Sequence, residues 1–197
     1  VADNALAEPQ TKLDLLEALR ASLAGESDAA PEGRDLRKVL IEKRLTDQHA
    51  LDLLEAFRRD VVKLRYADWA DLMDYCRYSA SPVGRFVLDV HGESEDLWPM
   101  NDALCTALQV INHLQDCGKD RREIDRIYLP LDRLAAAGVG VEALDQPAAS
   151  PALRGVIKGL AEDTMRLLDV SRPFARRIGD GRLALEVGVI QALAEDL

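Results

Sequence analysis

Apolar residues recur at three- and four-residue intervals through nearly the whole chain, and β-branched alternation bounded by turn residues never persists beyond a few positions. A period of about 3.6 rather than about 2 restricts such a chain to an all-α fold. The 197 residues suit one domain spanning 1–197 with a core of its own. Hydrophobic residues at 48% and charged residues at 30% can bury enough apolar surface to offset chain entropy, which excludes global disorder. A formal net charge of −10 opposes phosphate backbones, and no Lys/Arg run lies beside interleaved aromatics, so nucleic acid is not an expected partner. Cys76, Cys105 and Cys117 form an odd set without CxxC spacing, as expected of reduced thiols in a cytoplasmic protein. No stretch approaches ~18 uninterrupted apolar residues, so no transmembrane segment is expected.

The periodicity predicts a first helix from a Thr11 cap to Gly25, a polar loop to Gly33, a short helix from Leu36 to Leu45, and a third capped by Thr46-Asp47. A fourth segment opens near Asp68 and sets Trp69, Leu72, Met73, Cys76, Ala80, Val83, Val87 and Leu88 on one broad stripe before Gly92. Pro82 falls inside it and should kink or unwind the helix. A fifth helix is predicted from Asn101 toward Asp120, a short one to Ala137, a long one from Ser150-Pro151 to Ile178, and a last one over Arg182 to Asp196. Gly138-Val139-Gly140-Val141-Glu142-Ala143 mimics a dinucleotide fingerprint, but it follows a helical pattern instead of a strand and is expected to be a turn. His49, His91 and His113 lack metal-ligand spacing, and His113 is expected on a helix surface.

The sharpest chemical feature lies on the fifth helix, where Asn112, Asp116 and Asp120 are spaced four apart with Gln109 one turn earlier. Two carboxylates on one face repel each other unless a cation lies between them, and a hard Mg²⁺ favours carboxylate oxygens plus substrate phosphate and water. Any isolated pair of this kind is more often a solvated acidic face. Its neighbours raise it: Tyr75-Cys76-Arg77-Tyr78-Ser79-Ala80-Ser81-Pro82-Val83-Gly84 precedes it and Arg126-Ile127-Tyr128-Leu129-Pro130 follows it.

In this order, the three segments resemble the motifs Y-C-x-x-x-A-x-x-V-G, Q-x-x-N-x-x-x-D-x-x-x-D and R-x-Y-x-P of the squalene/phytoene synthase family. The resemblance spans the chain and is strongest from Tyr75 to Leu134. It implies the isoprenoid (terpenoid) synthase helical fold, with helices of the full fold lying beyond the N-terminal end and room for one beyond the C-terminal end. It further implies that Asp116 and Asp120 bind Mg²⁺ and diphosphate beside Asn112. Val1-Ala2-Asp3-Asn4 looks like the tail of the family's first Asp-rich motif, which makes Asp3 a third metal-binding candidate.

By the same resemblance Tyr75 stands at the reacting end of the pocket, where its ring can face a carbocation. Ser79, Val83 and Gly84 lie along the substrate, the small residues letting a long isoprenoid tail approach the backbone. Gln109, Arg126 and Tyr128 complete the diphosphate end. Gln115 stands where presqualene- and phytoene-forming members carry Arg. That residue, with the Tyr-Cys-Arg-x-Ser-Ala-x-Pro-Val-Gly-Arg run, resembles the bacterial hopanoid-pathway branch that turns presqualene diphosphate into hydroxysqualene. The expected reaction is Mg²⁺-assisted ionisation of the diphosphate ended by water, without NADPH. The alternatives are head-to-head joining of two prenyl diphosphates, as in squalene or phytoene synthases, and a non-catalytic assembly factor on the same fold. Retention of Asn112, Asp116, Asp120 and Tyr75 argues against the last. An isoprenoid diphosphate substrate is thus the expected partner, and its lipid product fits peripheral association of a cytoplasmic protein with the inner membrane.

Overall fold

The computed structural model describes residues 7–197. Every regular element among them is helical, apart from a single parallel bridge between Arg65 and Ile127. None of the helices is long and apolar enough to cross a membrane. The chain packs as two compact units, one through Lys63 and the other from Leu64 onward.

The first unit holds α1 (Pro9–Ala24), α2 (Pro31–Lys43) and α3 (Gln48–Val62), with α1 packed on both others. Pro9 opens α1 after Glu8, so Thr11 lies inside the helix instead of capping it. Gly25 ends α1 in the left-handed region at φ 83°, where glycine has no Cβ to clash. Helix α2 starts at Pro31, earlier than the Leu36 expected from the apolar pattern, because Pro31 presets φ and Glu32 suits the first turn. The Thr46 hydroxyl accepts from Gln48 N at 3.1 Å ahead of α3.

The second unit contains α4 (Trp69–Ser79), α5 (Ser81–Val90), α6 (Trp98–Ile124), α7 (Leu131–Ala136), α8 (Pro151–Ser171) and α9 (Gly181–Asp196). Asp68 caps α4 by accepting from Asp71 N at 2.8 Å, and Asp71 returns the bond by accepting from Ala67 N at 2.9 Å. The expected kink at Pro82 is a complete break: α4 stops at Ser79 and Pro82 lies in the first turn of α5, where no intrahelical donor is needed. The break resets the helix rotation. Leu72, Cys76, Ala80 and Leu88 are buried, but Val83 and Val87 turn outward instead of continuing the predicted stripe.

Helix α6 is the spine of this unit, packing against α4, α5, α8 and α9. It starts at Trp98 with Pro99 in its first turn and ends at Asp125 in the left-handed region, longer at both ends than the predicted Asn101 to Asp120. Two apolar clusters flank it. One gathers Leu88, Leu97, Met100, Leu104, Phe174 and Leu183, and the other Ile127, Leu129, Leu134, Leu144, Leu153 and Leu160. Helix α8 ends at Ser171 and not at Ile178, because Pro173 cannot continue it, and a tight turn over Ala175–Arg177 follows. The Gly138 segment is the turn expected, with Gly138 at φ 64°.

Candidate active site

A helix advances about 100° per residue, so Gln109, His113, Asp116 and Asp120 fall on one face of α6 and Asn112 and Gln115 on its edge. Burial follows that geometry: His113 is buried, Gln109, Asp116 and Asp120 are half-buried, and Asn112 and Gln115 are exposed. The expectation that His113 lies on the helix surface is therefore corrected. Gln115 lines an apolar groove of about 370 Å³ between α6 and α8, with Ile111, Leu114 and Met165.

The loop before α4 and the segment after α6 run side by side. Ile127 N donates to Leu64 O at 2.9 Å, Leu131 N to Tyr66 O at 3.0 Å, and Asp132 N to Ala67 O at 3.0 Å. This pairing brings Tyr66 and Tyr128 together, and α4 adds Tyr75. Ring centroids are 5.4 Å apart for Tyr66 and Tyr128, 5.2 Å for Tyr66 and Tyr75, and 5.5 Å for Tyr75 and Tyr128. His113 stacks on Tyr128 at 3.4 Å, and its Nε2 lies 3.1 Å from Gln109 Nε2. Arg126 is buried beside them and donates from Nη1 to the Tyr128 hydroxyl at 3.0 Å. Burial, helped by the Arg126 charge, pushes the His113 pKa down to about 3, so the imidazole is neutral at physiological pH.

Of the residues predicted from sequence, Tyr75, Gln109, Arg126 and Tyr128 thus converge around the inner face of α6, and Asp116 and Asp120 follow along that face. Tyr66 and His113 join them unpredicted. His113 had a signal, lying four residues after Gln109 and three before Asp116, whereas nothing in the spacing marks Tyr66. Ser79 ends α4, and its buried Oγ has no hydrogen-bond partner among the described residues. Gly84 faces α6: a Cβ there would stand 2.0 Å from Asn101 Oδ1 and 2.7 Å from Cys105 Sγ. It also lines an apolar cavity of about 150 Å³ with Leu104, Cys105, Phe174 and Val187. Val83, next to Gly84 and about 100° round the helix from it, is exposed. Asp3 lies outside the described residues.

The donor chemistry suits a hard divalent cation. Asp116 and Asp120 offer carboxylate oxygens one turn apart, while no group of three or more His, Cys, Asp or Glu forms a metal cage among the described residues. A site of that kind takes its remaining oxygens from phosphate and water, as Mg²⁺ does. Burial pushes the thiols of Cys76 and Cys105 up to about 12 and about 11, which removes both as thiolate nucleophiles near neutral pH.

The family model for squalene/phytoene synthase matches residues 1–197. The chain belongs to that family. It is 58% identical to the hydroxysqualene synthase of Zymomonas mobilis, with 100% of this chain and 67% of that protein covered. Against the hydroxysqualene synthase of Rhodopseudomonas palustris it is 54% identical, with 99% and 67% covered. The chain therefore spans about two thirds of the length of these curated relatives. Its structure matches that of the squalene synthase HpnC from Alicyclobacillus acidocaldarius with a TM-score of 0.82 and 34% identity, covering 98% of this chain and 73% of that one. Membership of the squalene/phytoene synthase family makes the protein an enzyme of the prenyl diphosphate transferase type, built on the helical terpenoid synthase fold.

Proposed function

We propose that this protein converts presqualene diphosphate and water to hydroxysqualene and diphosphate, with Mg²⁺ as cofactor. The observation that carries the reading is identity of 54% and 58%, over essentially the whole chain, to two hydroxysqualene synthases. Gln115, the neutral residue ahead of Asp116, supports the same branch. The C–O bond to the leaving diphosphate breaks heterolytically and leaves the electron pair on oxygen. The carbocation rearranges, a water oxygen adds to it, and the surplus proton passes to solvent or diphosphate. No reductant is consumed.

Mg²⁺, when bound, neutralises the departing diphosphate. Asp116 and Asp120 supply oxygens to hold it, with Asp3 as a third candidate and Asn112 exposed beside them for a phosphate oxygen. Arg126 adds a fixed positive charge, and the Tyr75 ring offers a π face to the cation. Buried aromatic walls keep bulk water away until the rearrangement is complete. The lipid product would leave at a membrane surface, which makes this a cytoplasmic enzyme that docks peripherally.

The name of the solved relative favours a second reading, since it is called a squalene synthase. That activity would join two farnesyl diphosphates head-to-head. The two reactions separate in one experiment. Presqualene diphosphate with Mg²⁺, without NADPH, should give an alcohol whose oxygen comes from labelled water, and farnesyl diphosphate alone should give little product. Comparable consumption of farnesyl diphosphate would overturn the branch and leave the roles of Asp116 and Asp120 standing.

A further inference from the structure

Tyr128 is the hub of the aromatic cluster, and His113 is the ring laid flat on it. Their planes differ by 12° and their centroids are 3.4 Å apart. On the other edge of the imidazole, Nε2 lies 3.1 Å from Gln109 Nε2. An amide nitrogen only donates, so Nε2 accepts and the ring proton resides on Nδ1. The groups around the imidazole are Tyr75 from α4, Arg126 and Tyr128 from the segment after α6, and Tyr66 behind Tyr128. On its own helix, Asp116 and Asp120 lie one and two turns further along. A phenylalanine would fill the same slot without burying a polar ring. What imidazole adds is the nitrogen bonded to Gln109.

The geometry points to His113 as a positioning residue that, clamped by Gln109, pins the Tyr128 ring and thereby sets Arg126 and the Tyr75 ring for ionisation of the diphosphate. This role rests on the reaction proposed above. The chain of contacts is continuous: Gln109 to His113, His113 to Tyr128, the Tyr128 hydroxyl to Arg126, and the Tyr128 ring to Tyr75. Small displacements of groups that meet a developing charge are costly, so a loosened Tyr128 slows the chemical step more than it weakens substrate binding.

Two variants end the clamp from opposite sides. His113→Phe keeps a flat ring and loses the nitrogen, and Gln109→Leu keeps the imidazole and loses its partner. With presqualene diphosphate and Mg²⁺, each should lower kcat roughly 10- to 100-fold with KM within about twofold. The double variant should be no slower than the slower single, since both remove the same bond. Wild-type kcat in either variant, multiplied losses in the double, or losses carried by KM would overturn the role. If His113→Phe fails to fold, Gln109→Leu decides by the same criteria. A readout independent of turnover separates this role from the reaction itself: stacking on Tyr128 should shift the His113 ring protons upfield in the NMR spectrum. That shift should collapse in Gln109→Leu, and a shift that survives there overturns the clamp even in a protein that leaves presqualene diphosphate untouched.

Discussion

Asp116→Asn and Asp120→Asn are each expected to lower turnover by at least about 10²- to 10³-fold while the helical fold survives. The substitution keeps the shape of the side chain, exchanges one acceptor oxygen for an amide donor, and removes the charge that draws a cation. Both carboxylates are half-buried on the inner edge of α6; Asp116 lies two turns before its end at Ile124, and Asp120 lies in the last turns, where its backbone carbonyl and not its carboxylate closes the helix. In Asp116→Asn, removing one of two like charges a turn apart also relieves repulsion of about 0.2–0.5 kcal/mol, so its melting temperature should hold or rise slightly. Steady-state turnover and thermal unfolding, measured on the same preparation, check both halves. A variant that keeps a tenth or more of wild-type turnover would remove the pair from the chemistry, and one that unfolds would make it structural.

Gly84→Ala should be the most damaging small substitution in α5, for reasons of packing alone. The added Cβ would stand 2.0 Å from Asn101 Oδ1, 2.8 Å from Asn101 Cγ and 2.7 Å from Cys105 Sγ, and real carbon contacts do not come so close. Asn101 cannot yield easily. It is 2% exposed, and its amide nitrogen donates to Ser81 O at 3.3 Å and to Asp102 Oδ1 at 3.1 Å. Asp102 in turn pairs with Arg85, whose guanidinium lies 4.4 Å from the Trp98 ring. Moving Asn101 therefore disturbs the whole contact between α5 and α6. The expected cost is about 2–3 kcal/mol after alanine's gain of about 1 kcal/mol in helix propensity, or a fall in Tm of roughly 5–10 °C. Val83→Ala, next door but 51% exposed, should change stability by no more than about 0.5 kcal/mol. Equal melting of Gly84→Ala and wild type would mean that α5 and α6 are not in close contact there.

Why some of this was visible in the amino-acid order and some was not follows from the range of each interaction. Helical periodicity is local, so the all-α class and most of the helices could be read directly. So could the Asp116 and Asp120 face, since a four-residue interval fixes it whatever surrounds the helix. The break at Pro82 was legible as a disturbance, but not its consequence that α5 restarts with a new rotation and turns Val83 and Val87 outward. The overlooked Pro173 ended α8 early for the same local reason.

The aromatic cluster was beyond sequence reasoning because its members are joined by long-range pairing. Tyr66 meets Tyr128 only because residues 64–67 lie beside 127–132, which no spacing announces. His113 carried a hint in its interval from Gln109, yet its burial depends on Tyr128, fifteen positions further on and beyond the end of α6. A polar residue in a helix reads as surface until the partner that covers it is known.

The central claim, that Asp116 and Asp120 hold diphosphate through a divalent cation, is tested most directly by diphosphate binding with and without Mg²⁺. At about 100 times its Kd, diphosphate should raise stability by about 2.7 kcal/mol when Mg²⁺ is present. With chelator that gain should vanish, and Asp116→Asn should lose it even with Mg²⁺ in excess. Equal stabilisation by diphosphate with and without chelator, unchanged by Asp116→Asn, would contradict the account.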